Sequence, residues 1–179
     1  MSLISHLECT RCTKSFPPGK VYSLCDCGSP LSVRYHLKPL AGAHLRDRLA
    51  GRAPNLWRYR EVLPVARAES IVSLGEGFTP LLHAHNLGER LKIPNLYLKD
   101  ESANPTGSFK ARGMAVAVSM ARELGIEKLA VPSAGNAGGA LAAYAARAGL
   151  EALVYMPEDT PLMNRLECAR QTLRLLLED

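Results

Sequence analysis

Short apolar runs alternate with helical stretches in the part of the chain that follows Pro80, and this alternation constrains the fold more than any other feature. The apolar runs occupy residues 95–99, 129–132 and 152–156. An order of β-α-β-α-β is typical of a parallel sheet whose strands are joined by right-handed crossovers. The sequence therefore predicts an α/β fold with an open parallel sheet.

Helices are predicted over residues 108–124 and 136–148 between these strands, and a last helix over residues 162–177. Gly125 and Gly149 stand where the first two helices should end, as glycine often does at a helix C-terminus. A parallel sheet of only three strands leaves edges and faces that further elements normally cover. We therefore expect residues 81–179 to form an incomplete α/β domain.

Four of the five cysteines lie near the N-terminus, as the pairs Cys9/Cys12 and Cys25/Cys27 separated by twelve residues. This is the layout of a four-thiolate zinc ribbon, although the second pair is closer than the usual C-x2-C. Zinc held by four protein ligands would be structural, and a ribbon that has lost its metal is the alternative. We expect residues 1–40 to form a zinc-ribbon-like segment.

Residues 41–80 are predicted to be a connector with short helical pieces around 44–49 and 57–62. The chain carries a formal charge of +5, but its lysines and arginines are scattered, so nucleic-acid binding is not indicated. No stretch has the length of a membrane span, and the first residues do not form a secretory signal. The expected location is the cytoplasm.

Lys110 follows the first predicted strand and opens the first predicted helix, with Ser108 as its expected N-cap. Lys110 and Arg112 would then lie in the first turn, where the helix dipole disfavours a cation. A lysine that is desolvated there becomes a better Schiff-base amine, because its ammonium form is disfavoured. The alternative is a surface lysine that is merely tolerated at a helix start.

A second turn between strand and helix contains Ser133, Ala134, Gly135, Asn136 and Ala137. Backbone N–H groups at a helix start bind carboxylate or phosphate groups. Glycine and asparagine are also common turn and capping residues, so this turn alone is weak evidence of a binding site.

Four segments together resemble the threonine synthase family, whose members are fold-type-II enzymes that use pyridoxal 5'-phosphate (PLP). They are the cysteine pairs, which end in Gly-Ser-Pro-Leu at residues 28–31, the Gly-Glu-Gly-Phe-Thr-Pro-Leu stretch at 75–81, the segment 104–113 around Lys110, and the turn 133–137. Their order and spacing match the family up to about Asn164. Many members have Asp where this chain has Ala111.

The resemblance implies a role for each matching residue. Lys110 would hold PLP as a Schiff base, Asn136 would hydrogen-bond the hydroxyl on the cofactor ring, and Phe109 would lie against the cofactor. Backbone groups of Ser133, Ala134, Gly135, Asn136 and Ala137 would receive the substrate carboxylate. The implied reaction converts O-phosphohomoserine and water to threonine and phosphate.

Members of the family continue beyond the matching part with a glycine-rich loop that cradles the PLP phosphate. We therefore expect a truncated chain that is not autonomous, and a homodimer or a complementing C-terminal half is a possible assembly. A non-catalytic fragment is one alternative, and a related PLP enzyme such as cysteate synthase or threonine dehydratase is another. The cysteine pairs weigh against the dehydratase.

Overall fold

The computed structural model describes residues 2–42, 44–169 and 174–178. Its first part is an antiparallel sheet of β1 (Ile4–Cys9), β2 (Ser15–Phe16) and β3 (Leu31–Tyr35), with β1 in the centre. Cys9 ends β1, and the second cysteine pair precedes β3, so the sheet brings the two pairs towards one end. This arrangement is compatible with a zinc ribbon.

The connector contains α1 (Leu45–Ala50) and a 3-10 helix at Leu56–Val62, which confirms both short helical pieces but makes the second one 3-10. Shorter 3-10 turns lie at Lys38–Leu40 and Ala68–Ser70. Trp57 of the connector is buried in the main core. The connector thus contributes to the packing of the α/β part, and the division of the chain at residues 40 and 80 stays a prediction.

A separate two-stranded sheet follows, built from β4 (Leu81–His83) and β5 (Tyr97–Lys99) with α2 (His85–Leu91) between them. The strands are antiparallel, with Leu81 opposite Lys99. The prediction that the run 95–99 belongs to the parallel sheet is therefore wrong. Closing a short loop costs little chain entropy, which favours pairing of β5 with a neighbour so near in sequence.

The remaining sheet is parallel, with strand order β6-β7-β8, and its strands alternate with helices. In chain order the elements of this part are α3 (Lys110–Glu123), β6 (Lys128–Pro132), α4 (Asn136–Ala148), β7 (Glu151–Pro157), α5 (Leu162–Ala169) and β8 (Arg174–Glu178). Gly125 and Gly149 adopt φ angles of +71° and +70° just past the ends of α3 and α4. Both predicted helix ends are confirmed, because this left-handed conformation strains other residues.

The main core lies where α3 packs against α4. Both helices present small side chains there, so their backbones can approach closely. Its buried members on these two helices are Ala111, Ala115, Val118, Leu141, Ala143, Tyr144 and Ala145. None of the helices in the described part of the chain is long and apolar enough to span a bilayer.

The prediction of a last helix over residues 162–177 is only half right. The helix α5 ends at Ala169, and β8 runs parallel to β7, with Leu153 opposite Arg174. The rest of the predicted helix, at 170–173, falls outside the described residues. A run of leucines suits a buried parallel strand as well as a buried helix, and periodicity alone does not separate the two.

Candidate cofactor site and metal centre

Lys110 stands at the start of α3, as predicted. The Ser108 hydroxyl accepts the Lys110 backbone N–H at 3.3 Å, which is the bond expected of an N-cap residue. Lys110 Nζ lies 4.4 Å from the centre of the Phe109 ring. Both side chains are exposed, so the described residues do not desolvate this lysine, contrary to the expectation from its position.

The loop that leads to Lys110 has a strained backbone. Thr106 and Gly107 follow one another in the left-handed region, with φ angles of +63° and +65°. This conformation is a genuine outlier for a β-branched residue such as threonine. Thr106 Oγ1 is also buried and lacks a hydrogen-bond partner within the described residues. Strain and an unsatisfied polar atom of this kind tend to occur at functional sites.

A network of polar side chains, which the sequence did not reveal, surrounds the same loop. The Glu101 carboxylate accepts hydrogen bonds from Arg112 Nε at 2.7 Å and Nη2 at 2.8 Å. It also accepts the Thr79 hydroxyl at 2.6 Å and Asn104 Nδ2 at 2.8 Å. Hydrogen bonds from Arg112 first, and then from Thr79, lower the pKa of Glu101 to about 2 from its usual 4.5. Asn104 Oδ1 in turn accepts the Gly77 N–H at 3.0 Å.

A buried carboxylate anchors the stretch 75–81. Glu76 is fully buried and accepts hydrogen bonds from Trp57 Nε1 at 2.8 Å and from the Tyr144 hydroxyl at 2.6 Å. The Ser73 hydroxyl and the Leu74 N–H complete its partners at 3.1 Å and 3.0 Å. Burial, and then the contact with Glu76, raise the pKa of Tyr144. The stretch is thereby held to both Tyr144 of α4 and Trp57.

The turn before α4 is shaped by the Ser133 hydroxyl, which accepts the N–H groups of Gly135 and Gly138 at 3.2 Å each. Asn136 is exposed at the first residue of α4. The first N–H groups of a helix have no partner inside it and point towards any anion at that end. A Cβ at Gly138 would stand 2.9 Å from Val154 Cγ1, so glycine allows α4 to lie close to β7.

The structure brings the elements that carry the two predicted halves of the site into contact. The 3-10 turn Pro105–Gly107 contacts α4, and α3 packs along α4. The turn at 133–135 follows the carboxyl end of β6, which is where open α/β sheets bind ligands. Among the described residues, no direct hydrogen bond joins Lys110 to the turn 133–137.

The four cysteine sulfurs form a cluster in which all Sγ atoms lie within 4.8 Å of one another. The Sγ atoms of Cys9 and Cys27 are 3.5 Å apart, and those of Cys12 and Cys25 are 3.6 Å apart. A tetrahedral zinc ion, about 2.3 Å from each sulfur, would set neighbouring sulfurs about 3.8 Å apart. Hydrogen bonds from the N–H of Cys12 and then of Arg11 lower the pKa of Cys9 to about 6, whereas burial and the contacts with the other thiols raise the pKa of Cys25 to about 12. By the spacing of its sulfurs, the donor set fits zinc.

Comparison with known proteins shows which family the chain matches. Residues 72–175 match the family described as pyridoxal-phosphate dependent enzymes. The chain belongs to this family. The prediction of PLP as the family's cofactor is thereby confirmed.

The curated relatives include two threonine synthases, in agreement with the predicted resemblance. The one from Methanocaldococcus jannaschii is 42% identical over 159 residues, which are 89% of this chain and 39% of the relative. The one from Methanosarcina acetivorans is 39% identical over 153 residues, which are 85% of this chain and 37% of the relative. The chain thus spans about two fifths of the length of these relatives.

Solved structures of PLP enzymes share the α/β fold. The processed form of threonine deaminase isoform 2 from Solanum lycopersicum is 30% identical, with a TM-score of 0.50 over 56% of this chain and 28% of that one. The fold class is confirmed as that of an α/β PLP enzyme with incomplete sheets.

The residues present fit one end of PLP. An exposed lysine amine suits the aldehyde carbon, and the Phe109 ring beside it offers an apolar face. Asn136 offers an amide at the start of the helix packed alongside α3.

Proposed function

We propose that this chain supplies the lysine-bearing portion of a PLP-dependent lyase of the threonine synthase type. The reaction would convert O-phosphohomoserine and water to threonine and phosphate. The observation that carries the proposal is the placement of Lys110, exposed at the capped start of α3 beside the loop that contacts α4. The chain is 42% and 39% identical in sequence to two threonine synthases over most of its length, and this similarity supports the choice of substrate.

Each site residue has a distinct task in this proposal. When bound, PLP supplies an electron sink for charge that develops on the substrate. Lys110 Nζ would hold the cofactor, and its amine would move protons at Cα and Cβ of the substrate. Phe109 would pack against the cofactor, and the Asn136 amide would hydrogen-bond its ring hydroxyl.

The backbone N–H groups of Ser133, Ala134, Gly135, Asn136 and Ala137 bind the substrate carboxylate in this proposal. Such groups at a helix start favour an anion through both hydrogen bonding and the helix dipole. The carboxylate would then orient Cα and Cβ towards the lysine amine.

The four cysteines hold a structural zinc ion in this proposal. Cys9, Cys12, Cys25 and Cys27 would fill all four positions, which leaves none for substrate. The ion would fix the end of the small N-terminal sheet, which has little core of its own.

A second candidate role is that of one half of a two-chain enzyme. It is favoured by the apolar surface of β4, α2, β5 and the segment between α2 and β5. The large exposed hydrophobic side chains of this surface are Leu81, Leu82, Leu87, Leu91, Ile93, Tyr97 and Leu98. A two-stranded sheet is marginal by itself and normally packs against further structure.

A chimera tests the proposed reaction. The chain would be joined to the part of the Methanocaldococcus jannaschii threonine synthase that lies beyond the matched region, and phosphate release from O-phosphohomoserine would be measured. We expect release that depends on PLP and is abolished by Lys110→Ala but kept in Lys128→Ala, at the opposite end of β6. Equal release by the two variants would refute the role of Lys110.

A further inference from the structure

We propose that Glu101 and Arg112 form a clamp that positions Lys110, with Thr79 and Asn104 as its fixed support. These are positioning residues, because none of them contacts Lys110 Nζ. The inference rests on the proposed function of Lys110 as the cofactor lysine.

The first half of the clamp fixes the start of α3. Arg112 lies two residues after Lys110, in the same helical turn, and its guanidinium forms two hydrogen bonds with one carboxylate. A two-point bond between planar groups sets direction as well as distance. It therefore limits rotation and translation of the turn that carries Lys110.

The second half of the clamp fixes the carboxylate itself. Glu101 Oε1 accepts the hydroxyl of Thr79, and Glu101 Oε2 accepts the amide of Asn104. Both partners are buried, with exposed fractions of 7% for Thr79 and 4% for Asn104. Their side chains cannot swing freely, and Thr79 Oγ1 also accepts a hydrogen bond from Arg112 Nη2 at 3.3 Å, so both partners hold the carboxylate in place beside Arg112.

The support continues into the backbone of the stretch 75–81. Asn104 accepts the Gly77 N–H, and a Cβ at Gly77 would stand 2.7 Å from the backbone nitrogen of Leu56. The same Cβ would stand 3.2 Å from Arg112 Nη1. This close approach fixes residue 77 against residues 55 and 56 on one side and the clamp on the other.

The strained loop explains why a clamp is needed. Thr106 and Gly107 lie between the two clamp residues in sequence, and the left-handed conformation of Thr106 is unfavourable. Such strain persists only where the surroundings hold it. Release of the clamp would let the loop relax and move Lys110, and displacements of about 1 Å are enough to disturb a reacting group.

The chain offers a matched control in Arg52 and Glu61. Arg52 Nη1 and Nη2 donate to the two oxygens of Glu61 at 2.7 Å and 2.6 Å, which is also a two-point bond to one carboxylate. This pair lies in the connector. The variants are Glu101→Gln, which removes the charge at constant size, and the control Glu61→Gln.

Two readouts separate the clamp from a general effect on folding. The first is amide hydrogen exchange across residues 104–112. The second is reductive trapping of PLP with borohydride, with Lys110 and the other lysines quantified by peptide mass spectrometry. In Glu101→Gln we expect exchange across 104–112 to rise, and trapping at Lys110 to fall, each by roughly tenfold. In Glu61→Gln neither quantity should change at these residues.

Unchanged exchange across 104–112 in Glu101→Gln would overturn the clamp, and so would an equal rise throughout the chain. If Lys110 traps no PLP when the chain is joined to the Methanocaldococcus jannaschii portion, the proposed function fails, while the exchange data still decide whether the clamp holds the turn. If Glu101→Gln does not fold, the Arg112→Lys variant tests the clamp with the same two readouts. Lysine keeps the positive charge but lacks the planar guanidinium that makes the two-point bond to Glu101.

Discussion

Glu76 offers the sharpest stability test, because its buried carboxylate holds together three parts of the chain that are distant in sequence. It accepts from Trp57 in the connector, from Tyr144 in α4 and from Ser73 and Leu74 just before it. Glu76→Ala removes the shared acceptor and leaves the Trp57 N–H and the Tyr144 hydroxyl buried without it.

The expected loss in the free energy of unfolding follows from these two buried donors, which no longer have an acceptor. A buried donor that loses its partner costs about 1–3 kcal/mol, so two of them reduce the free energy of unfolding by roughly 4 kcal/mol. For a chain of this size that corresponds to a fall in Tm of about 8–16 °C. Tyr144→Phe removes one donor only and should cost about 1–3 kcal/mol.

Urea unfolding followed by circular dichroism measures these changes in the two single variants and in the double variant. Because the two groups bond each other, the double variant should cost at least about 0.5 kcal/mol less than the sum of the singles. The control Glu89→Ala, at an exposed ion pair with His85, should stay within about 0.5 kcal/mol of wild type. A Glu76→Ala protein within about 1 kcal/mol of wild type, or strictly additive costs, would contradict the anchoring role of this carboxylate.

Three further predictions use the same geometry. The pKa of Glu61 and of Glu101 is about 2 instead of 4.5, in each case chiefly because an arginine donates hydrogen bonds to the carboxylate. Each ionised carboxylate therefore stabilises the folded state at pH values above the pKa that it has in the unfolded chain. The free energy of unfolding, measured with urea, should therefore fall as the pH drops from about 5 towards 2. This fall should be shallower in the variant that combines Glu61→Gln and Glu101→Gln. The purified chain should bind about one zinc ion, detected by release to a colorimetric chelator, and Cys9→Ser should bind less than half as much. Gly138→Ala should lower stability in thermal unfolding by about 1–3 kcal/mol, because its Cβ would press on Val154.

Local signals in the sequence predicted the helices that carry the site. The small apolar residues of α3 and α4 and the glycines at 125 and 149 fix these two helices without reference to distant contacts. The same signals correctly placed Lys110 and Asn136 at helix starts. Periodicity and capping act within one or two turns of the chain, so they can be read from one sequence.

The features that the sequence did not reveal depend on contacts between distant residues. Nothing in local spacing says that the strand at 97–99 pairs with β4 and leaves the parallel sheet. The bond between Glu76 and Tyr144 joins residues 68 positions apart. Glu101 and Arg112 are eleven residues apart, and the left-handed turn at Thr106 and Gly107 lies between them. A search for charged residues on either side of a Gly-containing loop could have suggested that pair.

The central claim is that Lys110 is the cofactor lysine, and a titration with PLP followed by visible absorption tests it most directly. The chain joined to the Methanocaldococcus jannaschii portion would be compared, as wild type, with its Lys110→Ala variant and with the matched control Lys128→Ala. We predict a saturable visible band in the wild type and in Lys128→Ala, and its loss in Lys110→Ala. No band in the wild type, or an equal band in all three proteins, would contradict the account.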